Sequence, residues 1–241
     1  MLKSGLSGAA MLIAALAAVP ASAQTWNATT QFNTGLWSYM QRPGTGCSGA
    51  ASPLGFAYNS VPGFIGRQGV NTPTIVPLVA KNTNASTTVS SSATIPAGAV
   101  WMHPGETGAN QKCAVIRFRA PNAATYRVQG FIKSIDGGAN SVNGHIFVGN
   151  APVGGTLALS GPMGTMLAFN QLVTVPAGPP ATRTIDFALD DGGSYYNDST
   201  QIQLSITRCN NNNGNGNGNG NGNSNSNGSG NASGTGNANG C

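Results

Sequence analysis

Residues 115–130 constrain the fold of this chain more than any other segment. Apolar and polar residues alternate through 115–119 and again through 126–129, and the short segment 120–124 joins the two runs. Alternation with a period of two residues is typical of a β-strand that has one buried face and one face in water. The pattern therefore predicts an antiparallel β-hairpin.

Similar short runs recur along the rest of the chain, separated by turn-forming glycine and proline residues. The predicted strands are residues 26–32, 36–40, 56–59, 73–79, 87–95, 100–103, 114–119, 126–134, 143–148, 166–175, 183–189 and 201–207. Many short strands with such punctuation favour two packed antiparallel sheets. We therefore expect an all-β sandwich.

The last two predicted strands alternate most clearly. The residues expected to face the core are Ile185, Phe187, Leu189, Ile202, Leu204 and Ile206. The residues expected on the opposite faces are Thr184, Asp186, Ala188, Gln201, Gln203, Ser205 and Thr207. Each of these strands is thus predicted to have one apolar face and one more polar face.

Residues 1–23 have the features of an export signal. Lys3 supplies a positive charge, residues 9–19 form an apolar segment, and Ala21-Ser22-Ala23 is a small-residue cleavage site. The apolar segment is shorter than the roughly 20 residues that a membrane span requires. We expect cleavage after Ala23, a secreted protein at the cell surface or outside the cell, and no transmembrane anchor in the mature chain.

The composition changes abruptly after residue 208. Residues 24–208 form one predicted β-sandwich domain, because such sandwiches commonly reach this length undivided. Residues 209–241 consist almost wholly of Asn, Gly and Ser and end in Cys. A segment with so little to bury is expected to be disordered. It is either a plain spacer or an Asn-rich segment that favours self-association.

Four cysteines suit an oxidising compartment, where an even number suggests disulfide bonds. They are Cys47, Cys113, Cys209 and Cys241. We favour the pairs Cys47 with Cys113 and Cys209 with Cys241. A Cys113–Cys209 pair and free thiols remain open alternatives, and a free Cys241 could join a second chain.

Charged residues make up only 7% of the chain, and the formal net charge is +5. The basic residues are spread along the sequence without a dense cluster, which argues against a nucleic-acid partner. Ser, Thr, Asn and Gln are abundant instead. We expect a nearly neutral surface rich in hydroxyl and amide groups.

The sequence offers little for catalysis. A glycoside hydrolase needs two carboxylates across the scissile bond, and Asp186 and Asp198 are expected to point outward without such a role. His103 and His145 lack the spacing of a zinc site. The mature chain has no Gly-x-Ser-x-Gly motif. We expect that the protein is not an enzyme.

The loop 190–198 is the best candidate for a metal site. Asp190, Asp191, Asn197 and Asp198 offer the hard oxygen ligands that Ca²⁺ prefers. Their spacing is not that of an EF-hand, and a glycine-rich loop with solvated carboxylates explains the same residues. A structural calcium ion and a metal-free loop are the two interpretations, and no other cofactor is expected.

Aromatic rings are candidate contacts for a sugar, because a ring can stack on the sugar while amides and hydroxyls hydrogen-bond to it. Tyr195 and Tyr196 are adjacent in a glycine-flanked loop, so one of them should face solvent. Trp101 is a weaker candidate, since a buried tryptophan is the default. His103 is a candidate as well, although a backbone hydrogen bond in a turn is the simpler expectation.

The order of several motifs resembles a bacterial exported β-sandwich domain often found in proteins with a PEP-CTERM sorting tail. The matching segments are MHPG at 102–105, VIRFRAP at 115–121, ATYRV at 124–128, Gly130, IDFAL at 185–189 and YNDST at 196–200. The resemblance covers roughly residues 37–207. It implies a jelly-roll-like fold, an exported location and a link to surface polysaccharide, without catalytic residues. This chain has the Asn/Gly-rich segment in place of the sorting tail.

Two functions follow from these patterns. The first is a secreted, non-enzymatic module that binds extracellular or cell-surface polysaccharide. The second is a structural matrix or surface protein that self-associates through its domain and its Asn/Gly-rich tail. Loss of assembly on removal of the tail would distinguish the second function from the first.

Overall fold

The computed structural model describes residues 23–69, 76–106, 111–138, 140–194, 196–209 and 241. The strands are β1 (Thr25–Asn27), β2 (Trp37–Pro43), β3 (Ser52–Pro53), β4 (Phe56–Ala57), β5 (Phe64–Gln68), β6 (Leu78–Asn82), β7 (Thr88–Ser90), β8 (Ala93–Ile95), β9 (Val100–His103), β10 (Lys112–Arg119), β11 (Ala124–Ser134), β12 (Asn140–Val148), β13 (Ala151–Gly161), β14 (Met166–Val175), β15 (Thr184–Asp190) and β16 (Thr200–Arg208). A single 3-10 turn at Thr45–Cys47 is the one helical element among the described residues.

The strands form two main antiparallel sheets. The larger sheet has the order β14-β11-β16-β9-β6-β5-β4, with β1 also paired to β16, and the smaller has the order β13-β12-β15-β10-β2-β3. Strands β7 and β8 form a separate hairpin. From β9 to β16 the chain passes repeatedly between the two main sheets, which is a jelly-roll arrangement. The predicted all-β, jelly-roll-like sandwich is confirmed.

The hydrophobic core lies between the two sheets. Alternate residues of β15 and β16 point into it, and the six residues expected there are buried. Phe118 packs against Trp26 and Trp37, with ring centroids 5.0 and 5.1 Å away. Both tryptophans are therefore core residues, as the size of their apolar surface favours.

The predicted hairpin over residues 115–130 is wrong. Strand β10 pairs with β2 and β15 in the smaller sheet, whereas β11 pairs with β14 and β16 in the larger sheet. The segment between them crosses from one sheet to the other, and the hydroxyl of Tyr126 donates to the carbonyl oxygen of Asn122 at 2.9 Å. The alternation identified the inner face of each strand correctly, but alternation does not determine which strand is the neighbour.

Several predicted boundaries also change. The single strand predicted over 87–95 is the hairpin β7–β8, which turns at Ser91 with a φ of 54°. Strands β3, β5 and β13 were not predicted. Residues 73–75, the export signal within 1–22 and the tail 210–240 lie outside the described residues. Among the described residues, no helix has the length and hydrophobicity needed to cross a membrane.

Two disulfide bonds join Cys47 to Cys113 and Cys209 to Cys241. Both favoured pairs are confirmed, and no described cysteine is free. The first bond ties the 3-10 turn to the start of β10 on the outer side of the smaller sheet. The second bond pairs Cys241 with a cysteine of its own chain, whereas the alternative was a bond to a second chain.

The outer face of β15 is buried, which corrects the expectation that Asp186 points into solvent. Asp186 is 0% exposed and lies between two arginines. Arg42 donates to its Oδ2 at 2.8 Å from Nη2, and Arg117 donates to its Oδ1 at 2.7 Å from Nε. Arg42 also donates to the carbonyl oxygens of Gly49 and Gly149 and stacks over Phe147. A buried arginine is tolerated here because nearly every donor has a partner.

Replacing Arg42 with methionine should destabilise the protein by about 3–5 kcal/mol, because it leaves a buried carboxylate and two buried carbonyls short of donors. Urea denaturation measures the change. Arg117→Met is the matched control, since Arg117 retains partial exposure and donates to Asp186 alone among the hydrogen bonds of the described residues. A loss for Arg42→Met no larger than that for Arg117→Met would contradict this assignment.

Candidate functional site

Acidic residues from two parts of the chain lie close together at one end of the sandwich, beside a buried glutamine from a third. Asp136 follows β11, Gln111 precedes β10, and Asp191 and Asp198 lie between β15 and β16. The side-chain amide of Gln111 donates to Asp191. The backbone N–H of Ser141 lies 3.5 Å from Asp198 Oδ1. These five residues are called the acidic end.

Three carboxylates of the acidic end are buried and incompletely hydrogen-bonded. Asp136 is 3% exposed, and Asp191 and Asp198 are both 0% exposed. One oxygen of each carboxylate has no hydrogen-bond partner among the described residues. This corrects the expectation of solvated loop acids. Because an unpaired buried charge is strongly unfavourable, a proton or a cation is needed to balance these groups.

The pKa values reflect this lack of partners. Burial, and to a smaller extent the charges of neighbouring acids, raise the pKa of Asp198 to about 8. Burial also raises the pKa of Asp191, although hydrogen bonds from Gly193 and Gln111 act in the opposite direction. Both carboxyls therefore hold a proton more readily than an exposed aspartate does.

Asp190 belongs to a different arrangement from the other predicted metal ligands. Its Oδ2 lies 2.9 Å from His145 Nε2, and its Oδ1 accepts the N–H of Gly192. Burial raises the pKa of Asp190, but these hydrogen bonds and the neighbouring imidazole outweigh burial and lower it. Asp190, His145 and Cys47 place potential ligand atoms within 4.8 Å of one another. The Cys47 sulfur is bonded to Cys113, so this group lacks the thiolate that a metal would require.

Glycines allow the loop to lie against the acidic end. Gly192 has a φ of 54°, and a Cβ at this position would collide with the carbonyl oxygen of Ser141. A Cβ at Gly138 would collide with the side chain of Asn197. Asn197 is itself exposed and has a φ of 61°. The predicted ligand Asn197 therefore lies near the acidic end, in contact with the loop after β11.

The predicted ligand contacts differ in their exposure to solvent. Tyr196 is 67% exposed on the loop, whereas Tyr195 lies outside the described residues. Trp101 is 3% exposed and packs edge-on against Tyr58 and Phe64, at 5.8 and 5.9 Å. Neither face of its ring is open to a ligand, so the proposed contact for Trp101 is wrong.

His103 makes the backbone contact that its position in a turn favours. It ends β9, and its Nδ1 lies 2.7 Å from the carbonyl oxygen of Pro104. Burial lowers its pKa, although that hydrogen bond and the charge of Asp136 act in the opposite direction. His103 therefore borders the acidic end as a largely neutral side chain near neutral pH.

A second candidate site lies on the outer face of the larger sheet. A groove of about 230 Å³ lies across β11 and β16. It is lined by Thr29, Ala97, Gly98, Ala99, Phe131, Ile202 and two amide side chains, Gln201 and Gln203. The strand register places Phe131 opposite Gln203 and Lys133 opposite Gln201. This surface, called the amide groove, combines one half-buried ring with uncharged hydrogen-bonding groups.

The polar surface continues beyond the amide groove. On β11, Gln129 lies between Asn170 of β14 and Ser205 of β16. Close strand approach keeps this face flat, since a Cβ at Gly130 would collide with the carbonyl oxygen of Gln203. The result is a row of amides and hydroxyls, flanked on β11 by Arg127 and Lys133.

Sequence reasoning missed the amide groove for a definite reason. The alternation did place Gln201 and Gln203 on the outer face of β16, and this is confirmed. The register between β11 and β16 brings Phe131 beside them, and Thr29 and residues 97–99 come from distant segments. Phe131 as the one aromatic residue on the polar face of its strand is the signal that could have identified the groove.

No protein-family model matches this chain. No curated protein matches it either. Solved structures do show similarity in fold. A native family 35 carbohydrate binding module from Clostridium thermocellum is 13% identical with a TM-score of 0.30, over 45% of this chain and 91% of that chain.

Two further solved structures show similarity of the same size. A carbohydrate-binding module, CBM36, in complex with calcium and xylotriose is 14% identical with a TM-score of 0.27, over 54% of this chain and 98% of that chain. An arabinose-bound α-L-arabinofuranosidase is 11% identical with a TM-score of 0.36, over 74% of this chain and 27% of that chain. Similarities of this size carry no conclusion about ligand or activity.

In the absence of divalent cations, the protein should lose stability as the pH rises from about 4 to about 8. The pKa of Asp198 is about 8 in the folded protein, above its ordinary value of 3.8. Between these values the folded state keeps a proton that the unfolded state releases, so raising the pH favours unfolding. Urea denaturation in buffers with a chelator measures the slope.

Asp198→Asn should remove most of this pH dependence, because an amide carries no charge at either end of the range. Glu106→Gln is the control, since Glu106 is exposed and should leave the slope unchanged. A slope that persists in full in Asp198→Asn would contradict the assignment to this carboxyl.

Proposed function

We propose that this protein is an exported, non-enzymatic module that binds polysaccharide. The observation that carries the proposal is the amide groove, in which Phe131 lies beside Gln201 and Gln203. The C–H face of a sugar ring is apolar and its edge is lined with hydroxyls. A ring flanked by amides offers a matching surface for both.

The size and setting of the groove suit one segment of a longer polymer. Its volume of about 230 Å³ lies below the 300–1,000 Å³ typical of sites that enclose a whole small-molecule ligand. A polysaccharide has no need of enclosure, since neighbouring sugars can contact the row of Asn170, Gln129 and Ser205 beside the groove. An open face of this kind allows binding along a chain.

The acidic residues support binding rather than hydrolysis. A glycosidase must bring one carboxyl to the glycosidic oxygen and a second to the anomeric centre. Asp186 and Asp198 are both 0% exposed, and Asp186 is held by two arginines. Neither carboxyl can reach a bound sugar in this conformation.

The disulfide bonds support an exported location. Cys47–Cys113 and Cys209–Cys241 are both formed between cysteines of this chain. Such bonds persist in oxidising compartments and are rare in the cytosol. Their presence agrees with an export signal at residues 1–23.

We also propose that the acidic end binds a structural calcium ion. The unpartnered buried oxygens of the acidic end belong to Asp136, Asp191 and Asp198, and carboxylate oxygens are the ligands that Ca²⁺ prefers. Their ligand atoms do not all lie within 4.8 Å of one another, so binding of the ion requires these carboxylates to move closer together. The charge of the ion would balance buried carboxylates, of which Asp191 and Asp198 have pKa values raised by burial. Asp190 is left out as a ligand because it pairs with His145. Tyr196 is exposed on the same loop and offers a second candidate contact for sugar.

The alternative function, a self-associating matrix protein, has one observation in its favour. Strand β14 ends the larger sheet, and it carries the exposed apolar side chains Met166 and Leu172, with Met163 just before it. An edge strand has one side without a neighbouring strand, and with exposed apolar groups it can pair there with a second copy. The Cys209–Cys241 bond speaks against a covalent link through Cys241.

Replacing Phe131 with alanine should weaken polysaccharide binding by at least about fivefold, because truncation of a central aromatic contact typically costs more than about 1 kcal/mol. Affinity electrophoresis in gels that contain a soluble β-glucan or a xylan measures the effect. Gln203→Ala should act in the same direction. Leu172→Ala is the matched control, since it removes an exposed apolar side chain from the same face outside the groove.

Three other outcomes would be informative. If the wild-type protein binds and Phe131→Ala and Gln203→Ala bind equally well, the amide groove is not the binding site. Loss of binding in Tyr196→Ala alone would place the contact on the loop instead. Absence of retardation of the wild-type protein in every gel would contradict polysaccharide binding itself.

Calcium should stabilise chelator-treated protein against heat, by about 2.7 kcal/mol when the ion is at 100 times its dissociation constant. Differential scanning calorimetry with and without CaCl₂ measures the shift. Asp191→Asn and Asp198→Asn should lose the response, whereas Glu106→Gln should keep it. A melting temperature that calcium leaves unchanged in the wild-type protein would contradict the proposed ion.

A further inference from the structure

Most acidic side chains of this protein are buried in its interior. The chain has six acidic residues. Five of them are buried, namely Asp136, Asp186, Asp190, Asp191 and Asp198. Glu106 alone is exposed. Buried carboxylates that bind arginine, histidine, a proton or a cation contribute little to the field outside the protein.

The positive charge, in contrast, faces solvent. Of the basic side chains that the structure describes, Arg42 is the buried one. The others are at least partly exposed, and they are Arg67, Lys81, Lys112, Arg117, Arg119, Arg127, Lys133, Arg183 and Arg208. The surface is therefore clearly cationic, which corrects the expectation of a nearly neutral one. A cationic surface attracts anionic polymers.

Three of these arginines line one cleft. The cleft has a volume of about 530 Å³ and is lined by Asn33, Trp37, Ser38, Tyr39, Met40, Pro53, Leu54, Arg67, Arg117, Arg119, Ala181 and Thr184. Arg117 and Arg119 are two residues apart on β10 and so share its outer face. Arg67 comes from β5 of the other sheet. This surface is called the arginine cleft.

The charge of the arginine cleft is only partly neutralised. Arg117 binds Asp186, but that carboxylate is shared with Arg42 and is fully buried. None of the ion pairs found among the described residues involves Arg67 or Arg119. Both of these guanidinium groups are exposed and available to an anion.

We propose that the arginine cleft binds an acidic polysaccharide through its uronate carboxylates. Arginine presents a planar fork of donors that matches a carboxylate in a two-point contact. Ser38 and Asn33 are exposed beside the arginines and can hydrogen-bond to sugar hydroxyls. The cleft is separate from the amide groove, because no residue lines both of them, and it binds its ligand independently of that groove.

A nucleic acid fits the arginine cleft less well. Binding of single strands relies on aromatic ring faces on which bases stack. The aromatic residues of the cleft, Trp37 and Tyr39, are 5% and 7% exposed, and both belong to the core between the sheets. The three arginines also occupy one short cleft instead of a long stripe that could follow a phosphate backbone.

Isothermal titration of the full chain with polygalacturonate tests the proposal, with dextran as the uncharged probe. Arg67→Gln/Arg119→Gln should weaken polygalacturonate binding at least about tenfold, whereas the control Lys112→Gln/Arg208→Gln, which removes the same charge outside the lining of the cleft and of the amide groove, should change it less than about twofold. Added salt should weaken wild-type binding. Thermal melting of each variant verifies folding.

The opposing outcomes are distinct. Equal losses of polygalacturonate affinity in the two double variants would show that binding depends on general surface charge. That result would overturn the arginine cleft as the binding site. Binding of oligo-dT more tightly than polygalacturonate, lost in Arg67→Gln/Arg119→Gln, would make the ligand a nucleic acid. Failure of the wild-type protein to bind polygalacturonate at low salt would overturn the proposal. Binding of neutral glucan at the amide groove is measured separately with Phe131→Ala, so each proposal can fail alone.

Discussion

The rest of the structure depends on the burial of Asp186 between Arg42 and Arg117. A strand in a sandwich normally buries one apolar face against the other sheet and leaves its second face in solvent. Both faces of β15 are buried instead. The ion pairs make this possible, because they satisfy a carboxylate in the middle of the outer face. They also attach β2 and the turn after β12 to the central strands through Arg42.

Because most acidic residues are buried, the two outer faces expose mainly basic and uncharged polar groups. The smaller sheet keeps exposed arginines next to a carboxylate that cannot neutralise them all. The larger sheet presents amides and hydroxyls around Phe131. The acidic end holds the remaining carboxylates, where a cation would balance them. The fold thus has three chemically different surfaces, namely the arginine cleft, the amide groove and the acidic end.

Sequence patterns predicted the parts of this arrangement that depend on local order. Period-two alternation identified the faces of β15 and β16, and cysteine count with position led to both disulfide bonds. Alternation could not show that β10 and β11 lie in different sheets, because strand faces carry no information about partners. Strand β13 was missed because it is mostly exposed and because glycines interrupt the alternation between Val153 and Leu157. The burial of Asp186 was missed because Arg42, 144 residues away, supplies its charge partner.

The central claim is that ligands meet two separate surfaces, one lined by amides around Phe131 and one lined by arginines. Amide chemical-shift mapping of the wild-type protein with a neutral and a uronate-containing oligosaccharide of equal length tests it most directly. The account predicts that both ligands shift amides around Phe131 and Gln203, and that the acidic ligand alone shifts those around Ser38 and Arg119. Shifts confined to the Tyr196 loop, or none with either ligand, would contradict it.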